Sequence, residues 1–193
     1  MVEPPGTFRV LMVCTGNICR SPYAERLLRS RLTARLGDDA ARVEVTSAGT
    51  RALVGESMHA PMVEVLAGYG ATGDDFVARQ VTQALLRDAD VVLTASREHR
   101  AAVVSLVPGV LRRAFTLPEF ARVVSAVDLQ GLPSDPVERL RALVRRAGQI
   151  RATVPASRPA EDDVEDPYGG PVEGYHGAGT RIGDAVDRIV AAL

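Results

Sequence analysis

Lysine is missing from this chain: all 23 basic residues are arginine. That removes Schiff-base chemistry, a pyridoxal anchor and a phosphate loop of the Walker type, each of which needs a lysine amine. Cysteine is scarce, and the two present, Cys14 and Cys19, lie in one short stretch. A disulfide framework is therefore not expected; a reactive thiol in a reducing, cytoplasmic compartment fits better. His59, His99 and His176 are scattered without ligand spacing, which argues against a metal site, and no cofactor is expected. The apolar run Phe8 to Val13 has strand length, far short of a membrane span. Met1 to Gly6 shows no charged segment leading into an apolar core, so no signal peptide is expected. The formal net charge of −1 and the lack of any basic block give no reason to expect nucleic acid as a partner.

What remains is the composition of a soluble globular protein, with 193 residues, 46% hydrophobic and 24% charged. One domain spanning 1–193 can bury its own core at this length. Arg9 to Val13 reads as a buried strand, Val43 to Thr46 as a second, Asp90 to Leu93 as a third and Arg113 to Thr116 as a weaker fourth. Between and after them run helical patterns. Ala24, Leu27, Leu28 and Leu32 form an apolar stripe after Ser21 (a plausible N-cap) and Pro22. Further helices are expected over Ala60 to Tyr69, from a Ser96 cap through Val104, over Pro136 to Ile150, and across the stripe from Ile182 to Leu193. Pro155 to Glu165 reads as a polar, acidic loop. Alternation of strands and helices predicts an α/β fold in three layers, a four-stranded parallel sheet flanked by helices on both faces. Ligands of such sheets sit beyond the carboxyl ends of the strands.

The segment Val13-Cys14-Thr15-Gly16-Asn17-Ile18-Cys19-Arg20-Ser21-Pro22 lies at that end of the first strand, before a helix. It brings together three parts of a phosphate-chemistry site. Cys14 supplies a nucleophile, the amides of Thr15 to Arg20 can curl into an anion-binding nest, and Arg20 can clamp two oxygens of an oxyanion. Backbone N–H groups and the dipole at a helix N-terminus favour anions, and the same field favours thiolate over thiol. Asn17 tolerates left-handed backbone, and its side chain can brace a tight loop. Gly16 and Gly49 read as residues of special backbone geometry. Ser21 can donate a hydrogen bond to Cys14. The bland alternatives are a packed cysteine, a surface ion pair for Arg20 and local capping for the serines.

The run from Val13 through Tyr23, Ala24 and Glu25 resembles the signature of the low-molecular-weight protein tyrosine phosphatase family, V-C-x-G-N-I-C-R-S-P-x-A-E. The resemblance extends from Phe8 to the C-terminus and is weakest over 124–160, which looks like an insertion. It implies a cysteine-dependent phosphatase that hydrolyses phosphotyrosine in proteins through a phosphocysteine. The partner is then a tyrosine-phosphorylated protein, such as a tyrosine kinase. Asp166-Pro167-Tyr168 resembles the family's D-P-aromatic element. Asp166 is then the acid, with Tyr168 one wall for an aromatic substrate. Asp135-Pro136 is a decoy: Val137 follows it and it opens a helix, so it reads as a cap. The resemblance also gives Ser47 the task of supporting Asn17, and makes Cys19 a partner able to trap oxidised Cys14 as a disulfide. Thr15, Gly16, Asn17, Ile18, Cys19 and Ser21 are the expected phosphate-binding positions.

Two positions depart from the family. Leu53 stands where an aromatic wall is common, and Phe76 where a histidine often supports the asparagine network. Three other functions share the loop. A thiol-dependent arsenate reductase is one; a thioredoxin-coupled version needs cysteines after Cys19 that the chain lacks, which leaves an external small thiol. A phosphoarginine phosphatase is another, whose relatives usually carry threonine at the position of Ile18. A non-catalytic phospho-binding module is the third, and it has no use for Asp166.

Overall fold

The computed structural model describes residues 6–193. The stretch read for a signal peptide falls, apart from Gly6, outside the described residues. In chain order the regular elements are β1 (Phe8–Cys14), α1 (Arg20–Leu36), β2 (Val43–Gly49), α2 (Ala60–Gly68) and α3 (Gln83–Asp88). Then come β3 (Val91–Thr94), α4 (Arg97–Leu106), β4 (Ala114–Thr116), α5 (Leu117–Val124), α6 (Pro136–Ile150) and α7 (Val172–Ala191). The strands form one sheet in the order β2-β1-β3-β4, with every pair parallel. Val10 faces Val45 on one side and Val91 on the other.

Side chains of a strand alternate between faces, and both faces are apolar here. Phe8, Val10, Met12, Leu93 and Phe115 share a core with buried residues of α1, α2, α5, α6 and α7. Leu11, Val13, Val92 and Ala114 share a second core with Leu86 of α3 and Val103 of α4. These are the three layers expected from the sequence. The stripe Ala24, Leu27, Leu28 and Leu32 is buried along α1, each leucine adding roughly 2 kcal/mol of apolar transfer free energy. Among the described residues no helix is long and apolar enough to cross a membrane.

Several boundaries differ from the sequence reading. Helix α1 begins at Arg20, and its cap position, Cys19, makes no side-chain cap bond. Ser21 is thus the second helical residue rather than the cap, and its hydroxyl is free for the site. Helix α7 starts at Val172, ten residues before Ile182, because its first turns carry glycines and polar residues that obscure the stripe. Helices α3 and α5 escaped the reading. Helix α5 has a capping box, Thr116 with Glu119, but its first residues abut a strand only three residues long. The acidic loop contains a 3-10 turn at Pro159–Asp162. Helix α6, inside 124–160, buries Leu140, Leu143 and Ala147 in the larger core. Asp135 caps it, accepting from Val137 N at 3.1 Å and Glu138 N at 3.0 Å.

Candidate active site

Strand β1 ends at Cys14 and α1 begins at Arg20, so residues 15–19 must turn within five positions at the carboxyl edge of the sheet. The carbonyls of this loop point away from it. Cys14 O accepts from Thr50 N at 2.9 Å, Thr15 O from Arg51 N at 3.0 Å, Gly16 O from Leu53 N at 2.9 Å and Ile18 O from His59 N at 2.8 Å. In a planar trans peptide the N–H lies opposite the C=O. Outward carbonyls therefore aim the N–H groups of Thr15, Gly16, Asn17 and Cys19 inward. No backbone acceptor among the described residues takes those N–H groups. The result is a concave run of inward N–H groups, a geometry suited to an anion.

Asn17 holds the turn. Its φ of 57° is left-handed, a region asparagine tolerates better than most residues. Its amide nitrogen donates to Ser21 Oγ at 2.9 Å and Ser47 Oγ at 2.8 Å, and its oxygen accepts from Arg79 N at 2.9 Å. Ser47 Oγ donates in turn to Glu25 Oε2 at 2.6 Å, and Arg29 pairs with that carboxylate at 3.2 Å. Phe76, where the family's histidine was expected, is buried beside Arg26 and makes no bond to Asn17. Arg79 supplies that contact through its backbone instead. Gly49 is needed for close approach, because a Cβ there would sit 2.4 Å from Thr15 O. Gly16 corrects the sequence reading: it has no positive φ, and a Cβ would meet only ordinary contacts at 3.5 Å or more.

Cys14 Sγ lies 3.0 Å from Ser21 Oγ. Ser21 Oγ accepts from Asn17, and its own hydrogen has two acceptors in reach, Cys14 Sγ and the more distant Ala48 O at 3.5 Å. Arg20 is 5% exposed. Its guanidinium donates to Asp166 Oδ2 at 2.6 Å, Val164 O at 3.1 Å and Thr15 Oγ1 at 3.4 Å. Arg20 Nε is buried and has no acceptor among the described residues, a cost that an oxyanion would relieve.

Asp166 reaches the loop because its segment is anchored. Val164 N donates to Ala95 O at 2.7 Å, and Asp163 accepts from Arg97 N at 2.7 Å and Arg97 Nη2 at 2.8 Å. Asp162 pairs with Arg122. Asp166 Oδ1 accepts from Tyr168 N at 3.3 Å. The Tyr168 ring stands edge-on to His59, with centroids 5.2 Å apart, and His59 stacks on Tyr175 at 5.6 Å. Leu53, 46% exposed, and Tyr168, 58% exposed, line one cleft with Cys14, Ile18, Arg20 and Asp166. Asp135 has no part in it; its carboxylate accepts from Arg42 at 2.7 Å.

Two groups near the loop have displaced protonation. Burial pushes the Cys19 thiol up to about 12, with Cys14 and Asp166 adding and Arg20 opposing. Burial, then Arg20, pushes the His99 ring down to about 4, against smaller opposite pulls from Glu98, Asp166 and Asp163. His99 Nε2 lies 2.8 Å from Thr15 Oγ1 and Nδ1 lies 2.6 Å from Ser96 Oγ. Sequence reasoning missed His99, His59, Glu25 and Arg79 as site residues. His99 follows β3 at the ligand end of the sheet, a signal that a search for metal-ligand spacing does not register.

The family profile described as low molecular weight phosphotyrosine protein phosphatase matches residues 9–139. The low molecular weight protein-tyrosine-phosphatase Etp of Escherichia coli strain K12 is 33% identical over 140 residues, 72% of this chain and 89% of Etp. Among solved structures, the low molecular weight protein tyrosine phosphatase of T. tengcongensis matches with a TM-score of 0.69 at 30% identity, covering 97% of this chain and 100% of that one. The YwlE arginine phosphatase of Geobacillus stearothermophilus matches with a TM-score of 0.67 at 28% identity, covering 95% and 91%. Asp166 lies beyond the stretch matched by the family profile, so its place in the site rests on geometry.

Proposed function

The chain belongs to the low molecular weight phosphotyrosine protein phosphatase family, and on that premise we propose that it hydrolyses phosphotyrosine in proteins through a phosphocysteine on Cys14. The observation that carries this reading is the meeting of Cys14, the inward amides and Arg20 with Asp166, a carboxylate 146 positions from Arg20. A module that only bound phosphate would need the first three alone.

The Cys14 thiolate attacks phosphorus and forms the S–P bond. The ester P–O bond breaks, its electron pair goes to the phenolic oxygen, and the Asp166 carboxyl gives that oxygen its proton. Inward amides and Arg20 hold the equatorial oxygens as charge builds there. The guanidinium of Arg20 lies between the loop and Asp166, within reach of both. In the second step Asp166, now a carboxylate, takes a proton from water. The water oxygen attacks phosphorus, the S–P bond breaks, and the electron pair returns to sulfur, where the Ser21 hydroxyl stabilises it. Inorganic phosphate leaves.

Tyr168 and Leu53 form the two sides of an aryl slot, with Leu53 supplying apolar contact in place of a second ring. The likeness to the Geobacillus arginine phosphatase supports phosphoarginine as a second substrate class. Ile18, lining the cleft, counts against it, because it offers a guanidinium no hydrogen bond. Cys14 and Cys19 are both buried free thiols, which suits a cytoplasmic setting and leaves arsenate reduction dependent on an external thiol. We read 1–193 as one phosphatase domain in which 124–160 adds a helix to one layer. The physiological substrate is a tyrosine-phosphorylated protein, with a tyrosine kinase one such target.

The test compares wild type and Cys14→Ser on a phosphotyrosine peptide, a phosphoarginine peptide and arsenate with glutathione. Wild type should release phosphate fastest from phosphotyrosine. Cys14→Ser should release none while still binding inorganic phosphate. Faster phosphoarginine turnover, or residual activity in Cys14→Ser, would overturn the reading.

A further inference from the structure

One hydrogen-bond chain enters the phosphate loop from helix α4, and counting its hydrogens fixes its direction. Ser96 Oγ accepts the backbone N–H of His99 at 3.3 Å. Its own hydrogen has one acceptor in reach, His99 Nδ1 at 2.6 Å. A neutral imidazole carries a single N–H. With Nδ1 accepting, that hydrogen is on Nε2 and is donated to Thr15 Oγ1, 2.8 Å away. Arg20 Nη2 also donates to Thr15 Oγ1, at 3.4 Å. Both lone pairs of the Thr15 hydroxyl are then used, and its hydrogen must point elsewhere. Among the described residues no acceptor takes it. Thr15 lines the cleft that holds Cys14 and Asp166.

We infer that the Thr15 hydroxyl donates a hydrogen bond to an oxygen of the bound phosphoryl group, and that His99 is a positioning residue that holds it in that role. The inference rests on the phosphatase reading above and adds to it a side-chain donor beside the loop amides and Arg20. The reverse chain is the poorer one. If Nδ1 carried the hydrogen, Thr15 would donate to Nε2 and have none for a ligand, while the Ser96 hydrogen would lack an acceptor. The ring is 7% exposed, and its depressed proton affinity keeps it neutral at physiological pH, as the count requires. A charged ring would donate from both nitrogens and leave Ser96 with no acceptor for its hydrogen.

Thr15→Val keeps the side-chain shape and removes the hydroxyl; Thr15→Ser keeps the hydroxyl. His99→Leu removes the donor to Thr15, and His99→Gln restores an amide N–H near the Nε2 position. The readouts are inhibition by inorganic phosphate, kcat and KM on an aryl phosphate, and Tm. Thr15→Val should weaken phosphate inhibition roughly tenfold to a hundredfold, as expected for a lost bond to a charged group. His99→Leu should lose most of the same factor, and His99→Gln and Thr15→Ser should recover it. The double variant Thr15→Val/His99→Leu should be no worse than Thr15→Val alone, because both act through one donor. Nitrogen NMR of the wild type should show Nε2 protonated and Nδ1 bare. Unchanged phosphate inhibition in a folded Thr15→Val, or a hydrogen on Nδ1, would overturn the inference. If wild type fails to hydrolyse the aryl phosphate, the catalytic reading falls. Calorimetry of phosphate binding to Cys14→Ser, with and without Thr15→Val, then still decides the role of Thr15.

Discussion

Arg20 donates to Asp166 at 2.6 Å across 146 positions of sequence. One guanidinium thereby touches both ends of the proposed reaction, the loop that receives phosphate and the carboxylate that serves the leaving group.

Asp166→Asn should therefore cut turnover of phosphotyrosine by roughly 10²- to 10⁴-fold, the usual value of a general acid. On an activated aryl phosphate the loss should be much smaller, since a good leaving group needs little protonation. Asp135→Ala should keep full activity and lose about 1 kcal/mol of stability, because it removes the cap of α6. Steady-state kinetics on both substrates with thermal melts separates the two. Exchanged phenotypes would assign the acid to Asp135.

Gly49→Ala should damage the site from outside it. The added Cβ meets Thr15 O at 2.4 Å and Ala52 Cα at 3.0 Å, both backbone, so neither can swing away. The loop must move, with a loss of roughly 1–3 kcal/mol in stability and a rise in the inhibition constant for phosphate. Gly16→Ala, whose Cβ would meet only side-chain atoms of Ile18 and Leu53 at ordinary contact distances of 3.5 Å or more, should melt within about 1 kcal/mol of wild type, at the usual scale of mild substitutions. Equal melting temperatures for Gly49→Ala and wild type would contradict the close approach.

The pH dependence of stability should carry a signature of His99. An unfolded histidine takes its proton near 6.5, whereas this ring resists to about 4. Above 6.5 both states are neutral and the full stability is present. As pH falls toward 4 only the unfolded chain gains the proton, so stability is lost across that window, levelling off after roughly 3 kcal/mol. His99→Gln lacks this term. The stability advantage of wild type over His99→Gln in urea titrations should shrink between neutral pH and pH 4; a constant difference would show the ring titrating normally.

Oxidation should be readable because only Cys14 and Cys19 carry thiols. Mild peroxide should inactivate the enzyme and join the two sulfurs within one monomer, with a mass loss of two hydrogens, and a thiol reductant should restore activity. In Cys19→Ser the same treatment should proceed to sulfinic or sulfonic acid without recovery. Burial holds Cys19 protonated up to about 12, so trapping should speed up as pH rises above neutral. Added oxygens in fully inactivated wild type would leave Cys19 as packing alone.

Much of this site was legible in the sequence because a backbone nest is built from consecutive residues. Cys14 to Arg20 had to lie within one turn, and a left-handed position within it favoured Asn17. The strands and the α1 stripe were legible because burial on regular elements repeats with the period of the element. Asp135 and Asp166 could be told apart by their neighbours, Val137 opening a helix and Tyr168 following in a loop. Ser21 reads as a cap because serine favours that position, whereas the helix starts at Arg20, two residues before the Pro22 start that such a cap implies.

By itself, then, the sequence determined the layered fold and put Cys14, the loop amides and Arg20 into one short stretch, all of which is local or periodic. Only the tertiary structure decided that Asp166 meets Arg20, that Arg79 and Glu25 brace Asn17 and Ser47, and that His99 reaches Thr15 across 84 positions. The physical reason is that a hydrogen bond between side chains on different elements depends on how those elements cross at the edge of the sheet. Such a bond leaves no period and no spacing in the chain, so it becomes visible only when β1, β3 and the 163–168 segment stand side by side.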